Sequence, residues 1–98
     1  MTLRLTPRAL ADAKRIKTWW RRNRSGAPDL FEQEFAAALD RIAQLPAAGK
    51  LYEEGDLDVS VRRVLLPKTL NHVYYTVSEQ DVVVLSVWGA LHERGPKL

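Results

Sequence analysis

Apolar residues recur at helical spacing in the first quarter of the chain. Thr6 precedes Pro7, and this order is typical of a helix start, because a hydroxyl caps the first free N–H groups and proline tolerates the first helical position. The helix is expected to run to about Asn23, with Gly26 as a stop signal. The residues it would place on its apolar face are Leu10, Ala13, Ile16 and Trp20.

A second and clearer amphipathic pattern follows. Asp29 and Glu32 have the spacing of a capping box, and Leu45-Pro46 predicts the end of the helix. The apolar positions of this helix are Phe31, Phe35, Ala38, Ile42 and Leu45, with Leu39 beside them. Because only about five residues separate the two helices, an antiparallel helical hairpin is expected.

The second half of the chain has the pattern of strands. Runs at 59–67, 71–77 and 81–88 are separated by short turns, so they predict an antiparallel meander. A short candidate strand at 2–5 is expected at a sheet edge, and 47–58 is interpreted as a loop. The sequence therefore predicts one α+β domain over 1–98, in the order β-α-α-β-β-β, with an antiparallel sheet packed against an N-terminal helical hairpin.

Charge is distributed unevenly along a chain whose net charge is only +3. Residues 1–24 carry a net +7, with Asp12 as their one acid, whereas residues 29–58 carry a net −6. Two interpretations stay open and are compatible: the helices pair through opposite charges, or a basic face is kept for an acidic partner.

The composition of the chain excludes several classes of protein. The chain has no cysteine, which excludes disulfides and thiolate metal sites and suits a reducing compartment. It also has no apolar run near the roughly 18–20 residues that cross a bilayer, so a cytoplasmic protein without membrane contact is expected.

Several motifs in this order resemble a known family. They are Arg62-Arg63, the run His-Val-Tyr-Tyr-Thr-Val at 72–77, the run Val-Leu-Ser-Val-Trp at 84–88, and His-Glu-Arg-Gly at 92–95. Over nearly the whole chain this arrangement resembles the ParE branch of the RelE/ParE toxins of bacterial type II toxin–antitoxin systems. The resemblance implies a small toxin that forms a hetero-oligomer with a cognate antitoxin, whose acidic or amphipathic C-terminal segment wraps around the hairpin and sheet.

The resemblance implies two alternative targets. ParE-like members bind DNA gyrase or a related topoisomerase, and RelE-like members cleave mRNA on the ribosome. Ribonuclease chemistry would use Arg63, His72 and His92 here, but the tail lacks the tyrosine that cleaving relatives carry. The expectation is therefore a gyrase inhibitor that acts by binding, with the ribosome-dependent endoribonuclease as the alternative, and with no cofactor and no metal site.

The resemblance and the geometry of helices and strands together indicate which residues contact the antitoxin and the target. Adjacent residues lie about 100° apart on a helix, so one of Trp19 and Trp20 must leave the core, and Arg62 and Arg63 must point to opposite faces of their strand. A buried arginine there would need a partner, and the acids Glu53, Glu54, Asp56 and Asp58 lie just upstream. The residues expected at the antitoxin are Trp19, Arg15, Arg22 and Arg62. Those expected at the target are Trp88, His92, Arg94 and Arg63.

Overall fold

The computed structural model describes residues 2–52 and 60–98, which form two helices and a five-stranded sheet. The elements are β1 (Thr2–Leu5), α1 (Pro7–Asn23), α2 (Leu30–Gln44), a 3-10 turn (Pro46–Ala48), β2 (Lys50–Tyr52), β3 (Val61–Leu66), β4 (Asn71–Val77) and β5 (Asp81–Gly89). The strand order is β1-β5-β4-β3-β2. The α+β class, the helical hairpin and the β3-β4-β5 meander are confirmed.

Both edge strands add detail to the predicted sheet. β1 lies at an edge, as expected, but it pairs in parallel with β5, so the sheet is mixed. β2 pairs antiparallel with β3 inside the segment interpreted as a loop, and that part of the prediction is wrong. A strand of three residues is too short to show a period of two. The remainder of the predicted loop, 53–58, lies outside the described residues.

α1 begins as predicted but turns a slightly different face to the core. The Thr6 hydroxyl accepts a hydrogen bond from the Ala9 N–H (3.1 Å) and donates one to the Leu85 carbonyl (3.1 Å), so the N-cap also ties the helix to β5. Ala9 is fully buried, whereas Leu10 is 58% exposed, and its predicted core position is wrong. The residues that face the core are Ala9, Ala13, Ile16 and Trp20. A small residue at the first of these positions lets α1 approach the sheet closely.

α2 buries the stripe that its pattern predicts. The buried residues are Phe31, Phe35, Ala38 and Ile42. Leu45, the helix C-cap, is 64% exposed, because the stripe ends one turn earlier. The capping box is also wrong: the Asp29 side chain makes no capping hydrogen bond, and it pairs with Arg21 of α1 instead (3.7 Å).

The sheet separates two apolar clusters. Val73 and Tyr75 of β4 belong to the main cluster beneath the helices, whereas Tyr74 packs with Tyr52 and Val61 on the opposite face. This alternation along β4 is the period of two expected of a strand. The sheet is therefore covered by the helices on one side and by a smaller, aromatic cluster on the other.

Candidate functional site

A groove of about 640 Å³ opens between the second half of α1 and the end of the sheet where β3 turns into β4 and β5 ends. Its apolar lining residues are Ile16, Trp19, Trp20, Leu70 and Leu91. Its polar lining residues are Arg15, Arg24, Lys68, Thr69, Asn71 and His92, with Gly89 beside them. None of these lining residues is acidic, so the groove combines an apolar floor with a cationic rim.

The two adjacent tryptophans both line the groove, but they differ in how far they are buried. Trp20 packs against the main cluster, whereas Trp19 is 46% exposed, which confirms that one indole must leave the core. The Arg24 guanidinium lies 5.0 Å from the centre of the Trp19 ring, a cation–π distance that holds the exposed ring in place. A fixed, half-exposed tryptophan among cations is a common anchor in protein interfaces.

Glu34 of α2 fixes the turn that forms the far wall of the groove. Its carboxylate accepts hydrogen bonds from the Lys68 N–H (2.6 Å), the Thr69 N–H (3.0 Å) and the Thr69 hydroxyl (2.7 Å). The next residue, Leu70, has a φ of 59°, a left-handed conformation that disfavours a side chain. The turn therefore holds Leu70 toward the groove at a conformational cost.

Asp12 of α1 fixes β5 where its pairing with β4 is irregular. The register between the two strands shifts at Tyr74/Tyr75. There the buried Asp12 carboxylate accepts hydrogen bonds from the Ser86 hydroxyl (2.8 Å) and the Val87 N–H (3.1 Å). Arg15 pairs with the other oxygen at 3.2 Å. The irregularity precedes the last residues of β5, among them Trp88.

The sequence prediction did not single out Asp12 or Glu34 as functional residues. Both lie at helical spacing within an apolar stripe, Asp12 between Ala9 and Ala13, and Glu34 between Phe31 and Ala38. An acid inside an apolar stripe must find hydrogen-bond donors when it packs against a sheet. That signal was present in the sequence.

The basic residues of α1 divide between two environments. Lys17 and Arg21 pair with Glu32 of α2 at 3.5 and 2.8 Å, so part of the charge joins the two helices. Arg15 and Arg24 line the groove instead, so another part forms a basic surface. Exposed pairs of this kind contribute little stability, about 0–1 kcal/mol each.

The predicted antitoxin residues do not form a single surface. Arg15 and Trp19 line the groove, and Arg22 is exposed in the last turn of α1 but does not line it. Arg62 lies elsewhere, where its guanidinium donates to the Gly49 carbonyl (2.8 Å) and ties β3 to the start of β2. The acidic partners suggested for it lie outside the described residues.

The predicted target residues do not all lie on one face: Trp88 belongs to the cluster opposite the helices, whereas His92 also lines the groove. The Trp88 indole N–H donates to the Arg94 carbonyl (2.9 Å), and the His92 ring lies 4.8 Å from the Trp88 ring. Trp88, His92 and Arg94 are therefore grouped at the end of β5. Arg63 lies two strands away, with its guanidinium 5.2 Å from the centre of the Tyr52 ring.

His72 lies between these two groups on β4, paired with Trp88 on one side and Leu65 on the other. Burial lowers the pKa of His72 below its usual 6.5, and the charge of Arg63 lowers it further. The imidazole is therefore neutral at pH 7. Of the three residues of the ribonuclease alternative, Arg63 and His72 are close enough to interact, whereas His92 packs on Trp88.

Within residues 2–52 and 60–98, no group of three or more His, Cys, Asp or Glu side chains is placed to hold a metal ion. Neither helix described there has the length and apolar character needed to cross a membrane.

The fold and the two surfaces define a small α+β protein whose exposed chemistry suits binding to another macromolecule. A family model for the ParE toxin of the type II toxin–antitoxin system parDE matches residues 3–92, and the chain belongs to this family. No curated protein matches the chain. Among solved structures it is similar to a chain from the chromosomal ParDE toxin–antitoxin system of P. aeruginosa, with a TM-score of 0.70 and 17% identity, covering 91% of this chain and 95% of that one. At this identity the structural likeness concerns the fold alone.

Proposed function

We propose that this ParE-type toxin is neutralised by a cognate antitoxin and that, when released, it inhibits DNA gyrase by protein–protein binding, without catalysing a reaction. Family membership supports the role of toxin. The observation that carries binding over catalysis is the grouping of Trp88, His92 and Arg94 at the end of β5. These three side chains present an aromatic and cationic surface of the kind that anchors protein interfaces.

The groove supports the antitoxin half of the proposal. Its apolar lining and its rim of Arg15, Arg24 and Lys68 complement an amphipathic segment that carries acids beside its apolar residues. Because exposed charges act over the Debye length, added salt should slow association more than it weakens final affinity, since the apolar contacts at Trp19 are not screened.

The antitoxin can be sought in the reading frame immediately upstream, where a short gene with a DNA-binding N-terminus is expected. Its C-terminal segment should bind the toxin, and a double variant Arg15→Glu/Trp19→Ala should weaken that binding by about 10–100-fold. Arg41→Glu is the matched control, because Arg41 is exposed on α2 and does not line the groove. Equal affinity of the wild type and the double variant would place the antitoxin on another surface.

The gyrase half is tested with purified protein in a DNA supercoiling assay. Inhibition should rise with the ratio of toxin to gyrase, and Arg94→Glu should weaken it while Arg41→Glu does not. In cells, induction should cause filamentation and a DNA-damage response before any loss of mRNA. Loss of inhibition in both charge variants would point to a general charge effect and not to the end of β5.

The alternative is a ribosome-dependent endoribonuclease that uses Arg63, His72 and His92. The observation in its favour is that Arg63 and His72 lie at diagonal positions on the neighbouring strands β3 and β4. The charge of Arg63 helps burial to lower the pKa of His72, and a neutral imidazole could accept a proton from a ribose hydroxyl. Against it, no ring contact joins His92 to His72 within residues 2–52 and 60–98. Cleavage of ribosome-bound mRNA that Arg63→Ala and His72→Ala both abolish would establish this alternative.

A further inference from the structure

The last residues of the chain lie across the face of the sheet opposite the helices. Leu98 packs against the cluster of Tyr52, Val61 and Tyr74, and the Arg94 carbonyl accepts the Trp88 indole N–H at 2.9 Å. We propose that residues 94–98, the C-terminal strap, form a displaceable cover over this surface, and that the strap must open before the target can dock. This second part rests on the proposed function, because Trp88, whose indole N–H the strap covers, is one of the target contacts proposed above.

The strap fits the surface closely at Gly95. A Cβ atom placed on this residue would lie 2.9 Å from Cζ of the Tyr52 ring and would also meet the Tyr52 hydroxyl. The backbone therefore packs directly against the ring, and any side chain at position 95 requires the strap or the ring to move. Pro96, the next residue, is buried. Arg8 of α1 holds the far end by donating to the Lys97 carbonyl.

Within residues 2–52 and 60–98, few contacts hold the strap. Residues 95–98 form neither helix nor strand, and the hydrogen bonds described for the strap join its carbonyls to the side chains of Trp88 and Arg8. One leucine and one proline supply its apolar burial. Such a set of contacts is comparable with the conformational entropy lost when five residues are ordered. The strap should therefore open far more often than the sheet unfolds.

The strap carries Arg94 and Lys97, and the Arg63 guanidinium lies 5.2 Å from the centre of the Tyr52 ring against which Gly95 packs. Opening the strap would free the Trp88 indole N–H and uncover Tyr52 and Tyr74 beside Arg63. The surface that becomes available is aromatic and cationic, and it is continuous with the residues proposed to meet the target.

Opening should govern the apparent affinity for gyrase. When only a fraction of the molecules is in the binding-competent form, the apparent dissociation constant is raised by the inverse of that fraction. A strap that is closed in about nine molecules of ten would thus weaken target binding about tenfold, and a variant that holds it open would recover that factor.

The state of the strap can be measured at the indole N–H of Trp88. Three indole signals are expected in an NMR spectrum of 15N-labelled protein, and Trp19→Phe and Trp20→Phe assign them. In the wild type the Trp88 indole N–H should exchange with water more slowly than that of Trp19, which is 46% exposed. Gly95→Ala should accelerate exchange at Trp88 about tenfold. Gly26→Ala is the matched control, because a Cβ atom there meets no atom within 4 Å, and it should change nothing.

A second variant is needed because rotation of the Tyr52 ring could accommodate Gly95→Ala without opening the strap. Leu98→Ala removes the apolar anchor without adding a clash, and it should accelerate exchange in the same direction. Equal exchange at Trp88 and Trp19 in the wild type, or no acceleration in either variant, would overturn the strap itself, whatever the target is.

Binding to immobilised gyrase then tests the consequence. Gly95→Ala and Leu98→Ala should bind more tightly than the wild type, by up to about tenfold, and Gly26→Ala should match the wild type. Faster indole exchange combined with equal or weaker binding would overturn the covering role and make the strap part of the contact. If the wild type binds no gyrase, the proposed target is wrong, and the indole exchange still decides whether the strap opens.

Discussion

The two faces of the sheet are built in different ways. The helix-facing side is covered by α1 and α2 and is held by buried polar contacts of Asp12 and Tyr75 with the backbone. Among the described residues, 2–52 and 60–98, the opposite side is covered by a small aromatic cluster and by five residues without regular structure. The difference indicates that stability is concentrated under the helices, and we proposed the other side as the surface that meets the target. Substitutions on the two faces should therefore have unequal effects.

The largest effect is expected at Asp12. Asp12→Ala leaves the Val87 N–H and the Ser86 hydroxyl without their acceptor in a buried position, so it should lower the free energy of unfolding by about 2–4 kcal/mol. Asp12→Asn keeps one oxygen acceptor and should cost less. Urea unfolding followed by circular dichroism measures both. A loss below about 0.5 kcal/mol for Asp12→Ala would show that the irregular pairing of β4 and β5 does not depend on this carboxylate.

Adjacent tyrosines on β4 give a matched pair across the sheet. The buried Tyr75 hydroxyl donates to the Pro46 carbonyl (2.8 Å) and accepts from the Gly49 N–H (2.8 Å), so Tyr75→Phe should cost about 1–3 kcal/mol. Within residues 2–52 and 60–98 the Tyr74 hydroxyl makes no hydrogen bond, so Tyr74→Phe should change stability by less than about 0.5 kcal/mol. The same unfolding experiment compares them, and equal losses would remove the proposed asymmetry.

Leu70 tests the conformation of the turn at the groove. Leu70→Gly removes the side chain from a residue in the left-handed conformation, which should stabilise the folded protein by about 1 kcal/mol. The greater conformational freedom of glycine in the unfolded chain offsets part of this gain. The variant should therefore be about as stable as the wild type, while binding of the antitoxin should weaken because Leu70 lines the groove. Calorimetry of unfolding and of binding separates the two effects. A large loss of stability would mean that the Leu70 side chain contributes more to packing than its 42% exposure indicates.

The smallest effect is a pH dependence of stability that comes from His72 on β4. The pKa of His72 is lower in the folded protein than the usual 6.5, so the unfolded chain binds more protons in the range below about 6.5. The free energy of unfolding is therefore not reduced by His72 above pH 6.5. It decreases as the pH falls from about 6.5 through the lowered pKa of the folded protein. Arg63→Gln should move the pKa only part of the way back, because burial is the larger cause. An NMR titration of the imidazole measures this, and a complete return to 6.5 would show that the charge of Arg63 is the main cause.

Regular patterns in the sequence predicted most of the scaffold. Phe31, Phe35, Ala38 and Ile42 are spaced so that they lie on one side of a helix, and β4 alternates cleanly between its two faces. The short strand β2 could not be predicted, since three residues carry no periodicity and its place is fixed by pairing with β3. The parallel pairing of β1 with β5 likewise depends on contacts between opposite ends of the chain.

The candidate site was only partly predictable. Trp19 and Arg15 were identified because exposure of one indole follows from helix geometry. The surroundings of the groove depend on hydrogen bonds to Glu34 and Asp12. Their positions within apolar helix stripes indicated that both acids need donors, but Lys68, Thr69, Ser86 and Val87 lie 34 or more positions away along the chain, so the sequence could not show which donors they find. The strap was likewise beyond prediction, because its contact with Tyr52 requires the folded sheet.

The most direct test of the central claim, binding without catalysis, is a titration of purified toxin against purified gyrase in a supercoiling assay, with a parallel reaction that contains ribosomes and a defined mRNA. We expect gyrase to be inhibited in proportion to the toxin bound and restored by the antitoxin, while the mRNA stays intact. Cleavage of the ribosome-bound mRNA, with gyrase unaffected at equal toxin concentration, would contradict the account.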